Sequence, residues 1–287
     1  MSKIILILPP QNIYLKTGCN IPIKTGESTP VHLILELGDF GLSLMWLTQN
    51  PISIKGLSVY IFEDEDDYVE NIKSIFKSSN IESTKPASIQ ICYNYKESML
   101  VPDKYYQTEL NDHMLSLLNG DSDDTFIKDD HIENCAIHNI YRIPKNIYSL
   151  IQHQFPNASA IHSSSLQIQQ KKEGNVLYCI VFYDAIKVIL YVDGLLNLVQ
   201  QFKYSSPEDV AYHLLNTCQQ HDLKPSEIKL RLYGMIVKDS NLYQQLHNYF
   251  LDIDFITIAE EINVRQEIND LPAHFFSHLT ELATCVL

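Results

Sequence analysis

The chain has 287 residues, of which 45% are apolar, 10% aromatic and only 20% charged. That is a folded composition rather than a disordered one, with length for one large domain or two smaller ones. Its 35 acids against 21 bases give a formal charge of −14, which disfavours nucleic acid and anionic lipid as partners, and the basic pair Lys171-Lys172 is too small to offset that field.

Six cysteines lie far apart, with no C-x-x-C pair. They read as reduced, mostly buried thiols, and their spacing argues against a zinc site. Near the amino terminus the apolar run Ile4 to Leu8 is stopped by Pro9-Pro10. It is too short for the apolar region of a secretion signal, and no later run reaches the 18 residues of a membrane span. The expectation is a soluble, cytoplasmic protein.

Three strands are predicted first, at Val31 to Leu37, Phe40 to Leu47 and Ile54 to Phe62, all rich in apolar residues and separated by turn residues. A helix over Asp66 to Lys77 follows, with the acids of Glu63 to Asp67 at its positive end. The next elements are a strand over Ser88 to Tyr93, a helix over Asp103 to Leu118 and a strand over Ile132 to Tyr141. A helix over Pro144 to Phe155 and a short strand over Ala158 to His162 complete the half. The acidic stretch Asp121 to Asp130 reads as a solvated loop; neither it nor Glu63 to Asp67 has the alternation of a calcium loop.

Beyond the polar segment Gln167 to Gly174 come three more strands: Asn175 to Tyr183, Ala185 to Val192 and Leu195 to Tyr204. The second turn, Asp193-Gly194, is a favoured hairpin dipeptide. Ser206 caps a helix running to about Gln220, with Pro207 in its first turn and Glu208 and Asp209 against the dipole. A strand over Ile228 to Ile236, a helix over Ser240 to Phe250, a strand over Ile253 to Ile258 and a helix over Leu271 to Leu287 close the chain. Three meandering strands followed by alternating helices and strands is the order of the ribonuclease H-like fold, and it occurs twice. The expected fold class is α/β, two tandem ribonuclease H-like domains in an actin-like ATPase arrangement: an N-terminal half over 1–166, a joint over 167–174 and a C-terminal half over 175–287.

Four segments carry a family resemblance: "SMLVPDKYY" (Ser98 to Tyr106), "IYRIPKNIYSLIQHQFPNA" (Ile140 to Ala158), "QQFKYSSPEDVAYHLL" (Gln200 to Leu215) and "IKLRLYGMI" (Ile228 to Ile236). Together they resemble an uncharacterised Bacteroidetes family, domain of unknown function 3822, whose members look like actin-like ATPase folds. The resemblance implies that fold and carries no catalytic motif with it.

In nucleotide-binding members of the actin-like superfamily, the first hairpin of each half brings an Asp and small residues to the phosphates and metal, because backbone amides must approach phosphate unobstructed. Asp39-Phe40-Gly41 is half of such a loop, crowded by Phe40 and Leu42. Its counterpart, Tyr183-Asp184-Ala185-Ile186, has no glycine, and where an adenosine loop is expected only Gly234 stands, followed by Met235 and Ile236. Asp39 and Asp184 therefore read as turn residues whose short side chains bond their own backbone. The expected function is a non-catalytic interaction or scaffold protein with a degenerate nucleotide cleft, no cofactor and an unidentified protein partner. The alternative is a Mg-ATP-dependent ATPase or phosphotransferase that uses Asp39, Gly41, Asp184 and Gly234.

Other features read as structural. His274 and His278, four apart on a helix, have metal-ligand spacing but no third ligand, and Phe275, Phe276 and Leu279 mark the helix as packed. Ser163-Ser164-Ser165 lacks a nucleophile elbow and reads as a polar turn. Cys135 and Cys179 read as apolar strand residues. Tyr204, at a strand end before a capped helix, is the aromatic most placed to face the cleft.

Overall fold

The computed structural model describes residues 15–23, 30–39, 41–62, 68–79, 81–169 and 174–286. The apolar run at Ile4 to Leu8, Phe40, the acids Glu63 to Asp67 and part of the joint lie outside the described residues. The chain divides into two compact units, the first of residues 1–169 with 261–268, the second of residues 170–260 with 269–285.

In the first unit, β2 (His32–Gly38), β3 (Gly41–Thr48) and β4 (Ser53–Phe62) form an antiparallel meander, and β1 (Leu15–Ile21) pairs antiparallel with the outer side of β4. β5 (Ser88–Asn94) then adds parallel to β2, and β9 (Ser159–His162) parallel to β5. The order is β1-β4-β3-β2-β5-β9. Because β2 is central and covered on both faces, its run "LILEL" is apolar on both sides rather than alternating. Helix α1 (Tyr68–Ser78) lays Ile72, Ile75 and Phe76 on Leu33, Leu35 and Leu37, followed by the short α2 (Ile81–Thr84).

An inserted subdomain separates β5 from β9. β6 (Ser98–Pro102), β7 (Thr125–Ile132) and β8 (Ile137–Pro144) pair antiparallel in the order β6-β8-β7, with α3 (Asn111–Asn119) packed through Leu115 on Val101 and Ile140. The buried Arg142 fastens α3 to this sheet, donating to the Gly120 carbonyl at 2.7 Å and the Ser116 hydroxyl at 2.8 Å. Helix α4 (Lys145–Gln154) then returns Ile147 and Ile151 to the main core, and α5 (Ser163–Gln167) follows β9.

This insertion corrects three expectations. The helix expected over Asp103 to Leu118 shrinks to Asn111–Asn119, because Ser98–Pro102 forms a strand and Asp103–Tyr105 and Thr108–Leu110 are single 3-10 turns. The loop expected over Asp121 to Asp130 is in its second half the strand β7. The strand expected over Ile132 to Tyr141 is broken near its start by a hairpin corner at Glu133–Cys135, with Ala136 in the left-handed region at φ +53°, and from Ile137 on it is the strand β8.

In the second unit, β10 (Val176–Val181), β11 (Ala185–Val192) and β12 (Leu195–Lys203) meander antiparallel, and β13 (Lys229–Gly234) and β14 (Asp252–Phe255) add parallel beyond β10. The order β12-β11-β10-β13-β14 repeats β4-β3-β2-β5-β9 of the first unit. Asp193 and Gly194 both take positive φ, 50° and 77°, as the predicted two-residue turn requires. Helix α6 (Pro207–Gln220) has the complete capping box at its start: Asp209 N–H donates to Ser206 Oγ, and the Asp209 carboxylate accepts from Ser206 N–H. Helix α7 (Asn241–His247) covers the same face of the sheet through Leu242 and Leu246.

The segment Glu261–Ile268, expected in the C-terminal half, belongs to the first unit: β15 (Asn263–Val264) pairs parallel with β4, and Arg265 donates to the carbonyls of Pro22 and Lys55. After α8 (Gln266–Asn269), α9 (Ser277–Val286) begins later than the expected Leu271. Pro272 instead opens a turn closed by Phe275 N–H on its carbonyl. Among the described residues no helix is long and apolar enough to cross a membrane.

Candidate functional site

The β2–β3 hairpin places Asp39 exposed at its tip, where Oδ2 accepts from Lys96 N–H at 2.8 Å. The carboxylate thus ties the hairpin to the chain leaving β5. At the base of the hairpin Tyr68 donates to the Gly38 carbonyl at 2.7 Å. Gly41 has φ +144°, and a Cβ there would collide with the carbonyl oxygen of Tyr60 on β4. The need for glycine at this position is therefore met by the sheet itself.

The corresponding turn of the second unit has the same character. Asp184 is exposed, and its carbonyl accepts from Tyr204 N–H at 3.0 Å. The Tyr204 hydroxyl donates toward the Phe182 carbonyl at 2.9 Å and the Tyr183 carbonyl at 3.2 Å, so its oxygen closes the turn while its ring packs on the unit's core. Gly234, at φ +82°, ends β13 with its α-carbon against the Val181 carbonyl of β10. The hairpin residues Asp39 and Gly41 are neighbours in the first unit, and Asp184 and Gly234 flank the end of β10 in the second. Replacing Tyr204 with Phe removes a hydroxyl that covers two carbonyls without changing the ring. It is expected to cost about 1 kcal/mol, read as a lower urea midpoint at unchanged slope.

The richer polar assembly of the first unit was not legible beforehand. Glu36, 3% exposed in the middle of β2, accepts from the buried Asn94 amide of β5 at 2.9 Å; the signal was an acid interrupting an apolar strand. Separately, the Asp130 carboxylate accepts from His162 N–H and Ser165 Oγ, each at 2.7 Å, and from the Tyr141 hydroxyl at 3.1 Å. Burial pushes this carboxyl above its ordinary 3.8, an effect the three hydrogen bonds partly offset.

His162 itself is fully buried. It donates from Nε2 to the Tyr95 carbonyl at 3.0 Å and accepts at Nδ1 from Ser164 N–H at 3.2 Å. With both ring nitrogens occupied it has no lone pair to activate Ser165, so the serines form a buried helical pin rather than a nucleophile or the polar turn expected.

His274 donates from Nε2 to the Ile236 carbonyl and stacks on Phe255 at 4.0 Å. His278 is buried, edge-on to Phe182 at 5.5 Å, and burial with the neighbouring Lys187 pulls its pKa down to about 3. Both are packed, as their aromatic neighbours in sequence imply. Cys179 lies in β10, where burial pushes its thiol up to about 12. Cys135 lies in a 3-10 turn rather than a strand, with its thiol directed at the Ile168 carbonyl at 3.5 Å.

The family described as "Protein of unknown function (DUF3822)" matches residues 22–253. The chain belongs to this family. Among solved structures it is similar to a protein of actin-like ATPase fold and unknown function from Bacteroides thetaiotaomicron, at 20% identity and a TM-score of 0.72, covering 90% of this chain and 97% of that one. It is also similar to the PilM-PilN type IV pilus biogenesis complex, at 9% identity and a TM-score of 0.62, covering 89% of this chain and 98% of that one. No curated protein matches the chain in sequence. The repeated strand order and these likenesses establish the actin-like ATPase fold, and at these identities they carry the fold alone.

Proposed function

We propose that this chain is a non-catalytic interaction module of actin-like fold, a cytoplasmic protein whose nucleotide site is degenerate and whose partner is another protein. The observation that carries this reading is at the two glycines. Gly41 and Gly234 are the points where backbone would approach a phosphate or a base, and each is instead packed against a carbonyl of its own sheet. Asp39, the acid nearest such a site in the first unit, holds Lys96 N–H. Apolar side chains on the inserted subdomain support a protein partner: Leu117 and Leu118 of α3 are 72% and 65% exposed. The fold also occurs in the PilM-PilN complex, an assembly of proteins.

The test is thermal unfolding with and without millimolar Mg-ATP, Mg-ADP and Mg-GTP. Specific binding must stabilise by mass action, by about 2.7 kcal/mol at a hundredfold excess over the dissociation constant. The expected result is an unchanged midpoint with all three. A rise that disappears in the Asp39→Ala, Asp184→Ala double variant overturns the proposal and makes the chain a Mg-nucleotide-dependent enzyme.

A further inference from the structure

The inserted three-stranded sheet gathers a second set of polar residues that the interaction reading does not use. His131 of β7 and His138 of β8 are register partners, so their rings stand on one face of the hairpin, and Asp129, two residues back on β7, shares that face. Asp103 follows β6 directly, in the "SMLVPDKYY" segment, and β6 delivers it there by pairing Val101 with His138. One ligand atom from each of Asp103, His131 and His138 lies within 4.8 Å of the other two.

One of the distances has the scale of a coordination shell, and the others are wide enough that the ligands must draw in on binding. His131 Nε2 is 3.2 Å from Asp103 Oδ2, and His138 Nε2 is 3.8 Å from Asp103 Oδ1. Tetrahedral zinc with bonds of about 2.0–2.1 Å holds its ligand atoms about 3.3 Å apart. Ion pairing alone leaves part of this arrangement unexplained. His138 Nδ1 is buried with no hydrogen-bond partner among the described residues, and Asp129 Oδ2 lies 3.5 Å from it. That is the position of the carboxylate that accepts the second N–H of a metal-bound imidazole and fixes its tautomer. The His138 ring is seated on Tyr106 at 3.5 Å and 2°; His131 stacks on its other face at 4.4 Å and 16°, and because imidazole binds in its ring plane the His131 side chain, 44% exposed, has to turn out of this stack for both nitrogens to meet at one ion.

We propose that Asp103, His131 and His138 bind one divalent ion of the zinc class, with Asp129 as a positioning residue for His138. Two imidazole nitrogens and a carboxylate suit zinc and its neighbours rather than magnesium or calcium, which take oxygen shells. Three protein donors leave a fourth position for water or for a donor side chain of a partner. The site stands independently of the function proposed above. Sequence reading missed it because the ligands come from two paired strands and the turn after β6, without a spacing motif.

The experiment is calorimetric titration of the full-length, untagged chain with Zn²⁺ after chelation and dialysis, repeated with Co²⁺ to read coordination from visible absorption. Expected are one equivalent of zinc per chain, an intense four-coordinate cobalt spectrum, at least a hundredfold loss of affinity in His131→Ala and His138→Ala, and a loss of roughly 10–100-fold in Asp129→Asn. His113→Ala, an exposed histidine of α3, should leave affinity unchanged. Should the histidine variants fail to fold, Asp103→Ala, whose side chain is 41% exposed, decides alone. The proposal is overturned by the absence of stoichiometric zinc, by zinc affinity undiminished in the Asp103 or histidine variants, or by displacement of zinc with millimolar Mg²⁺.

Discussion

Gly234→Ala is expected to remove about 2–5 kcal/mol of stability, against the roughly 5–15 kcal/mol that holds a domain folded. Two costs add. At φ +82° an alanine pays for left-handed backbone, about 1–2 kcal/mol. Its Cβ also drives into the carbonyl oxygen of Val181, and that oxygen belongs to β10, the central strand of the second unit, which pairs with β11 and β13 and has little freedom to move aside. Forcing one extra carbon into packed surroundings adds about 1–3 kcal/mol. Urea unfolding checks this, and Gly174→Ala separates the two costs: Gly174 has φ +71° with nothing within 4 Å of its Cβ position, so it carries the backbone cost alone. Equal losses in the two variants would mean that the collision is relieved and that Gly234 is free to serve some other contact.

Gly234 also illustrates how far the sequence could be read. A lone glycine between Tyr233 and Met235 was visible as a point of close backbone approach, but not what approaches it. The meanders were legible because each strand is a long run of apolar and β-branched residues cut by turn residues with a conformational reason to be there, Asp193-Gly194 above all. The capping box at Ser206 and Asp209 was legible because it is entirely local. Once both strand series were recognised, their shared order supplied the fold.

What stayed hidden depended on partners remote in sequence. β7 carries Lys128, Asp129, Asp130 and His131, and such charge density reads as loop unless the partners that quench it are known. Two of those for Asp130 lie 32 and 35 residues further on, at His162 and Ser165. The break near the start of the strand expected over Ile132 to Tyr141 has the same origin: the corner at Glu133–Cys135 contains neither glycine nor proline, and Ala136 takes positive φ because the hairpin around it demands it. For the candidate sites, residue types at the two turns could be listed from sequence, whereas the contact of Asp39 with Lys96 spans 57 residues and belongs to the tertiary structure.

Asp130→Ala is expected to cost on the order of 3–5 kcal/mol. The substitution strands three donors, His162 N–H, Ser165 Oγ–H and Tyr141 Oη–H, and an unsatisfied buried donor costs about 1–3 kcal/mol where neither water nor rearrangement relieves it. Unfolding of the variant at neutral pH checks the size, and its pH dependence checks the cause. Burial holds the Asp130 carboxyl above 3.8 in the folded chain, so the folded state binds this proton more readily than the unfolded state. The stability tied to that proton is complete below 3.8 and is lost as pH rises from 3.8 through the folded value. Compared with Asp130→Asn, which keeps the shape and does not titrate, the wild type should therefore lose its relative advantage as pH rises across that window and level off above it. A relative advantage that grows with pH would mean that the three hydrogen bonds outweigh burial, and that the carboxylate is the preferred form of this pin between the inserted sheet and the end of β9.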